Sequence, residues 1–93
     1  MPPLSESEIT AALSSLPGWN RIGKAIERSY KFPDFVSAMI FVNRVAEVAE
    51  EANHHPDIAI HYNQVTLSLW SHDSGGVTKR DLRMAATINQ IQQ

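Results

Sequence analysis

Apolar residues recur at helical spacing in three parts of the chain, which predicts three helices. Ser5 and Glu8 have the spacing of a capping box and precede the first pattern. Thr78 and Asp81 repeat that spacing before the third pattern, with aspartate in place of glutamate. The apolar positions are Ile9, Ala12, Leu13 and Leu16 in the first helix, and Leu82, Ala85, Ile88 and Ile91 in the third.

The middle helix is the longest and has more apolar surface than one face requires. It follows Asp34, a favoured N-cap residue, and Pro56 disfavours helical backbone before it, so we expect an end near residue 53 or 54. One stripe consists of Phe35, Ala38, Met39, Val42, Val45, Ala46 and Ala49, and the apolar residues off it are Val36, Ile40, Phe41 and Val48. A helix of this kind is usually buried on more than one side. We expect a homodimer or homotetramer through residues 35–52; the alternative is a helix wedged beneath the first or third helix.

Alternating apolar and polar residues predict four short strands, one pair on each side of the middle helix. The segments are residues 19–22, 25–32, 58–62 and 65–72. Arg28 interrupts the apolar face of the second strand, which is therefore expected near a sheet edge. In the last strand the alternation places His72 on the more polar face, at the end of the strand.

This order of elements predicts an α+β fold, a four-stranded antiparallel sheet with three helices packed on one face. The 93 residues are expected to form a single domain, 1–93, and a composition of 43% hydrophobic and 19% charged residues is that of a globular protein. A net charge of -2 gives no basis for nucleic-acid or membrane binding. Without cysteine, disulfides and thiolate chemistry are excluded, and the cytoplasm is the default compartment.

The histidines of the chain are clustered. His54, His55, His61 and His72 lie within 19 residues, and the remainder of the sequence has none. Because histidine exchanges protons near neutral pH, the cluster indicates proton-transfer chemistry. For the adjacent pair at the helix end, a purely structural role as a cap of the last carbonyl groups is an equally open alternative. His61 is interpreted as a surface residue.

Other kinds of catalytic site have little support. The rings of adjacent His54 and His55 diverge, and no His-Glu-x-x-His helix or His-x-His strand pair exists, so no metal is expected. The sequence also lacks a Gly-x-Ser-x-Gly elbow and a glycine-rich phosphate loop. Acid–base catalysis without a cofactor remains. Asn53 and Asp73 directly neighbour the histidines and are suited to binding a polar heterocycle.

A spaced pattern of seven residues over 32 positions connects this region to a known family. It consists of Glu50, His54-His55-Pro56, Tyr62, His72 and Asp81. With this pattern the chain resembles the pterin-4a-carbinolamine dehydratases, also called 4a-hydroxytetrahydrobiopterin dehydratases. The likeness continues weakly outside the pattern and covers essentially the whole chain. Asn53 stands where the animal members have an acid.

The resemblance implies dehydration of a 4a-hydroxytetrahydropterin to the quinonoid dihydropterin, in tetrahydrobiopterin recycling. It places His54, His55 and His72 around the pterin as acid and base, in an order left open. We assign substrate binding to Asn53, Ser71 and Asp73, and supporting roles to Glu50, Pro56, Tyr62 and Asp81. Glu50, one turn before His54, is expected to orient that ring. The alternative is a pterin-binding accessory protein or a dimerisation module for a transcription factor, in which the histidines do no chemistry.

Overall fold

The helices and strands follow one another in the predicted order, α-β-β-α-β-β-α. The computed structural model describes residues 2–91. The helices are α1 (Glu6–Leu13), α2 (Phe35–Ala52) and α3 (Lys79–Asn89), and the strands are β1 (Asn20–Ile22), β2 (Ala25–Lys31), β3 (Asp57–His61) and β4 (Gln64–Leu69). All neighbouring strands are antiparallel, in the spatial order β1-β2-β4-β3. The predicted fold class is therefore confirmed.

Each helix begins at the cap that the sequence predicted. Both capping boxes are formed, and the Asp34 carboxylate accepts the Ser37 N–H at 2.8 Å. These bonds favour the charged acids: the Ser5 backbone N–H lowers the pKa of Glu8, and that of Ser37 lowers the pKa of Asp34. The third helix ends at Asn89, earlier than the apolar spacing suggested.

β2 was expected near a sheet edge and is second from it, with partners on both sides. It pairs with the three-residue strand β1 and, along its length, with β4. Arg28 is tolerated there because its guanidinium donates to Pro17 O at 3.0 Å and to Asn89 Oδ1 at 2.6 Å. The same group lies 4.5 Å from the centre of the Tyr30 ring.

The core lies between one face of the sheet and the helices. Its sheet residues include Ile26, Tyr30, Val65, Leu67 and Leu69, and helix α2 contributes Ala38, Phe41, Val42 and Val45. The sequence prediction that Phe41 lies off the buried stripe is wrong. Its ring packs 4.5 Å from that of Tyr30 and 5.2 Å from that of Phe32, measured between centroids. The helix is rotated so that Phe35 is exposed instead, because the rings of Tyr30 and Phe32 pack against Phe41.

Apolar side chains remain on the outer surface of α2. Val36 is 66% and Ile40 is 52% exposed in the single chain, while Val48 is partly buried against the core. Within residues 2–91, no helix is long and apolar enough to cross a membrane.

Candidate active site

Three segments of the chain meet around a cavity of about 280 Å³ that all three candidate catalytic histidines line. The segment that follows α2 contributes His54 and His55, the loop after β4 contributes His72, and the first turn of α3 contributes Arg80. The remaining lining residues are Asn53, Trp70, Ser71 and Asp73. Neither His61 nor Tyr62 is among them; both are exposed where β3 turns into β4.

The end of α2 determines where the two adjacent histidines point. Asn53 ends the helix in the left-handed conformation, with φ 52°, and its N–H bonds to the Ala49 and Glu50 carbonyls. The backbone N–H of His54 also donates to Ala49 O, at 3.1 Å. Backbone N–H groups thus reach two of the last carbonyls of the helix, while both imidazole rings contact carboxylates.

His54 is held by a buried aspartate. Its Nε2 lies 2.5 Å from Asp81 Oδ1, and the side chains are 13% and 0% exposed. The other carboxylate oxygen accepts the Thr78 N–H at 2.8 Å and the Ser71 hydroxyl at 3.0 Å. Asp81 thus closes the capping box of α3, as predicted, and also orients a histidine, which was not predicted. The sequence gives no sign of this contact, because it joins residues 27 positions apart.

His55 is held by Glu50 on the surface. Its Nε2 lies 2.5 Å from Glu50 Oε2, and the two side chains are 55% and 78% exposed. The expectation that Glu50 orients His54 is wrong. Helical spacing would bring residues 50 and 54 together, but the chain leaves the helix at Asn53, and His55 is turned back toward Glu50 instead.

His72 stands in the tight loop that follows β4. Ser71 and Gly76 form an isolated bridge that closes this loop, and Gly75 has the positive φ of 76° that the turn needs. The His72 ring stacks on Trp70, with 3.8 Å between ring centroids and 29° between planes. Trp70 was not predicted as a site residue, although the period-two alternation places it on the same strand face as His72.

Asp73 and Arg80 form an ion pair at the rim of the cavity. Arg80 Nη2 lies 2.6 Å from Asp73 Oδ1. This hydrogen bond from the guanidinium lowers the pKa of the Asp73 carboxyl. The Ser74 hydroxyl also donates to Oδ1, at 3.5 Å, so the side-chain hydrogen bonds to Asp73 within residues 2–91 converge on that one oxygen. Arg80 was not predicted as a site residue, since its partner lies seven positions away in a loop.

The remaining predicted residues have structural contacts. Ser71 is buried, and its hydroxyl is engaged by Asp81 and, at 2.8 Å, by Thr78 Oγ1. It forms the back wall of the cavity. Pro56 follows His55 and precedes β3, where it fixes the exit from the helix.

A second cavity of about 500 Å³ lies between α2 and α3 and shares His54 and Arg80 with the histidine cavity. Its apolar lining includes Val48, Ala52 and Met84. His54 and Arg80 therefore line both cavities.

Fold and site together define a small α+β protein with a cavity lined by histidines and by polar and charged side chains. Within residues 2–91, no three histidine or acidic side chains are grouped so as to bind a metal ion. The chain belongs to the pterin 4 alpha carbinolamine dehydratase family, whose family model matches residues 2–91. The resemblance that the spaced pattern predicted is confirmed.

Individual relatives match over nearly their whole length. A protein of Koribacter versatilis is 59% identical over 88 residues, which are 95% of this chain and 94% of the relative. A protein of Thermomicrobium roseum is 50% identical, with 95% of each chain covered. Both are assigned by name as pterin-4-alpha-carbinolamine dehydratases.

Two solved structures have a similar fold. A crystal structure described as a transcriptional coactivator/pterin dehydratase from Brucella melitensis is 42% identical, covers 94% of this chain and 95% of its own, and has a TM-score of 0.89. A pterin dehydratase-like protein, described as a RuBisCO assembly factor in the alpha-carboxysome, is 20% identical with a TM-score of 0.66. It covers 77% of this chain and 86% of its own, and at that identity it shows the fold alone.

Proposed function

We propose that this protein dehydrates a 4a-hydroxytetrahydropterin to quinonoid dihydropterin and water by histidine acid–base catalysis. The observation that supports this best is the convergence of His54, His55 and His72 on one cavity, two of them paired with carboxylates. The names of the relatives support the substrate class.

The reaction needs two proton transfers. The bond between ring carbon C4a and the hydroxyl oxygen breaks, and a proton delivered to that oxygen lets it leave as water. A proton is removed from ring nitrogen N5, whose electron pair then forms the double bond to C4a. A well-placed acid or base contributes roughly a hundred- to ten-thousand-fold to such a step.

We assign the base to His54. Its Nε2 faces Asp81, so in the neutral ring the proton lies on Nε2 and the lone pair on Nδ1 is available for the N5 proton. His72 is the proposed acid, since it lines the same cavity. His55, held on the exposed side by Glu50, is assigned to substrate positioning.

Substrate binding is assigned to the rim of the cavity. The exposed Asp73 carboxylate can accept from the N–H edge of the pterin, and it is kept charged by Arg80. Asn53 lines the same cavity and offers a side-chain amide. Ser71 contributes to substrate binding only as part of the cavity wall, because its hydroxyl already donates to Asp81. We propose tetrahydrobiopterin recycling in the cytoplasm as the setting.

We also propose that the protein is a homodimer or homotetramer through α2. The exposed Val36 and Ile40 lie about one turn apart on that helix, and burying them stabilises an assembly by roughly 25 cal/mol per Å² of apolar surface. Ile40→Glu should therefore shrink the particle in sedimentation. Ala46→Glu, on another exposed part of the same helix, is the control and should leave the assembly intact. A wild-type monomer at micromolar concentration would refute this proposal.

The second candidate function is a pterin-binding accessory protein or a dimerisation module without turnover. The description of a structural relative as an assembly factor favours keeping it, because it indicates that this fold is used for purposes other than catalysis.

A direct assay separates these functions. Quinonoid dihydropterin formation from synthetic 4a-hydroxytetrahydropterin is followed with wild-type protein, with a His54→Ala/His72→Ala double variant, and without protein. We expect the wild type to accelerate formation and the double variant to lose most of that acceleration. If a pterin bound in equilibrium dialysis but no acceleration appeared, the accessory function would replace ours. If neither binding nor acceleration appeared, the dimerisation module would replace it.

A further inference from the structure

His72 is fixed in a different way from the other two histidines of the cavity. The rings of His54 and His55 each give one nitrogen to a carboxylate. Within residues 2–91, neither ring nitrogen of His72 has a hydrogen-bond partner, and the contact that orients its ring is the stack on Trp70 at 3.8 Å. His72 is also exposed and stands in a loop, so without this contact its ring would rotate among several rotamers.

Trp70 is well placed to hold a neighbouring ring. The residue before it, Leu69, is paired to Ile26 of the adjacent strand, and the residue after it, Ser71, is bridged to Gly76. Its backbone is therefore fixed on both sides. The Lys24 ammonium lies 5.9 Å from the indole centroid and covers the ring from the turn between β1 and β2. The indole is half-buried, and little of its freedom remains.

We propose that Trp70 is the positioning residue for His72 and does for it what Asp81 and Glu50 do for the other two histidines. This inference rests on the proposed function, because it assigns a role in the same reaction. An indole face orients an imidazole without occupying a ring nitrogen. Both nitrogens of His72 thus remain available, one to give a proton to the leaving hydroxyl and the other to regain one from water. Such an arrangement suits the acid of a dehydration, since the donor must be reprotonated in every turnover.

The kinetic test compares Trp70→Leu, which keeps apolar bulk but removes the aromatic face, with Trp70→Phe, which keeps a smaller one. Aromatic stacks of this kind imply a fall in kcat of about two- to tenfold for Trp70→Leu, with KM little changed. Trp70→Phe should recover at least half of the lost kcat. In a His72→Gln background, Trp70→Leu should have no further effect on kcat, because the residue acts through the histidine.

A readout that does not need turnover is the histidine spectrum in NMR. Ring current from the indole should shift the ring protons of His72 upfield relative to those of His61, which has no ring contact within residues 2–91. Trp70→Leu should abolish the shift, and Trp70→Phe should keep part of it. This measurement also succeeds if the protein turns over no pterin, so a failure of the proposed function and a failure of this inference can be told apart.

Three outcomes would overturn the inference. The first is a His72 spectrum that Trp70→Leu does not change. The second is a rise in KM at constant kcat, which would mean that the indole binds the substrate directly. The third is an undiminished effect of Trp70→Leu when His72 is already glutamine.

Discussion

Replacing Asp81 with asparagine tests the most buried element of the site. The amide has nearly the shape of the carboxylate, so its oxygen can still accept from Thr78 N–H and Ser71 Oγ and keep the helix cap. Its NH₂ group then faces His54 Nε2, which the carboxylate oxygen approaches at 2.5 Å in the wild type. Because two donors cannot face each other, the neutral ring must move its proton to Nδ1. That nitrogen is the one we assign to accept the substrate proton.

The magnitude follows from the lost charge-assisted bond. Hydrogen bonds to charged groups contribute roughly 1.5–3 kcal/mol, and each 1.4 kcal/mol is a factor of ten in rate. We therefore expect kcat to fall by about tenfold to 150-fold, with a smaller change in KM. The assay is steady-state formation of quinonoid dihydropterin, after circular dichroism has verified the fold of each variant.

Glu50→Gln is the matched control, because it makes the same chemical change beside the other histidine. The pair of Glu50 and His55 is exposed, and exposed ion pairs contribute about 0–1 kcal/mol. We expect a loss in kcat of less than about fivefold. If Asp81→Asn folded correctly with wild-type kcat, or if Glu50→Gln were the more damaging change, the assignment of His54 as the oriented base would be refuted.

Two further predictions concern the other histidines and the acidic groups. In steady-state kinetics, His54→Ala and His72→Ala should each lower kcat at least about tenfold, equivalent to roughly 1.4 kcal/mol. His61→Ala should leave kcat nearly unchanged. If His61→Ala lowered kcat as much as the other two, the site would lie elsewhere. The second prediction is measured by thermal melting. Folding lowers the pKa values of Glu8, Asp34 and Asp73, so their charged forms stabilise the folded protein fully above their ordinary pKa values. This stabilisation is lost as the pH falls through the lower pKa values of the folded state. The melting temperature should therefore fall below about pH 4, and Asp34→Asn should flatten that dependence; an unchanged profile in this variant would contradict the capping argument.

The order of the elements was predictable because it depends on local rules. Capping boxes at Ser5 and Thr78, the proline after His55 and the alternation in β4 each act over a few residues, and the structure forms each of them. The rotation of α2 was not predictable in the same way. Phe41 is buried because two aromatic rings of the β2 segment lie beneath it, which is a tertiary contact that helical periodicity does not contain.

In the candidate site, too, local features were predictable from the sequence and tertiary contacts were not. Histidine clustering indicated which side chains belong together, but not which acid holds which ring. Helical spacing assigned Glu50 to His54, and the left-handed turn at Asn53 reassigned it to His55. The capping spacing predicted the bond between Asp81 and the start of α3, but it contains no information on the second carboxylate oxygen, which contacts His54.

The two oxygens of Asp81 connect stability to catalysis, and this leads to a prediction that distinguishes His54 from His72. One oxygen serves the cap, and the other is satisfied by His54 in a position with no access to water. His54→Ala would leave that oxygen buried without a partner, which costs roughly 1–3 kcal/mol of unfolding free energy. His72→Ala removes an exposed ring and leaves no buried group unsatisfied, so its cost should stay within about 0.5 kcal/mol. Urea unfolding of the two variants measures the difference directly. Equal stabilities would mean that Asp81 finds another partner when His54 is gone, and that the buried pair serves the reaction without being part of the fold.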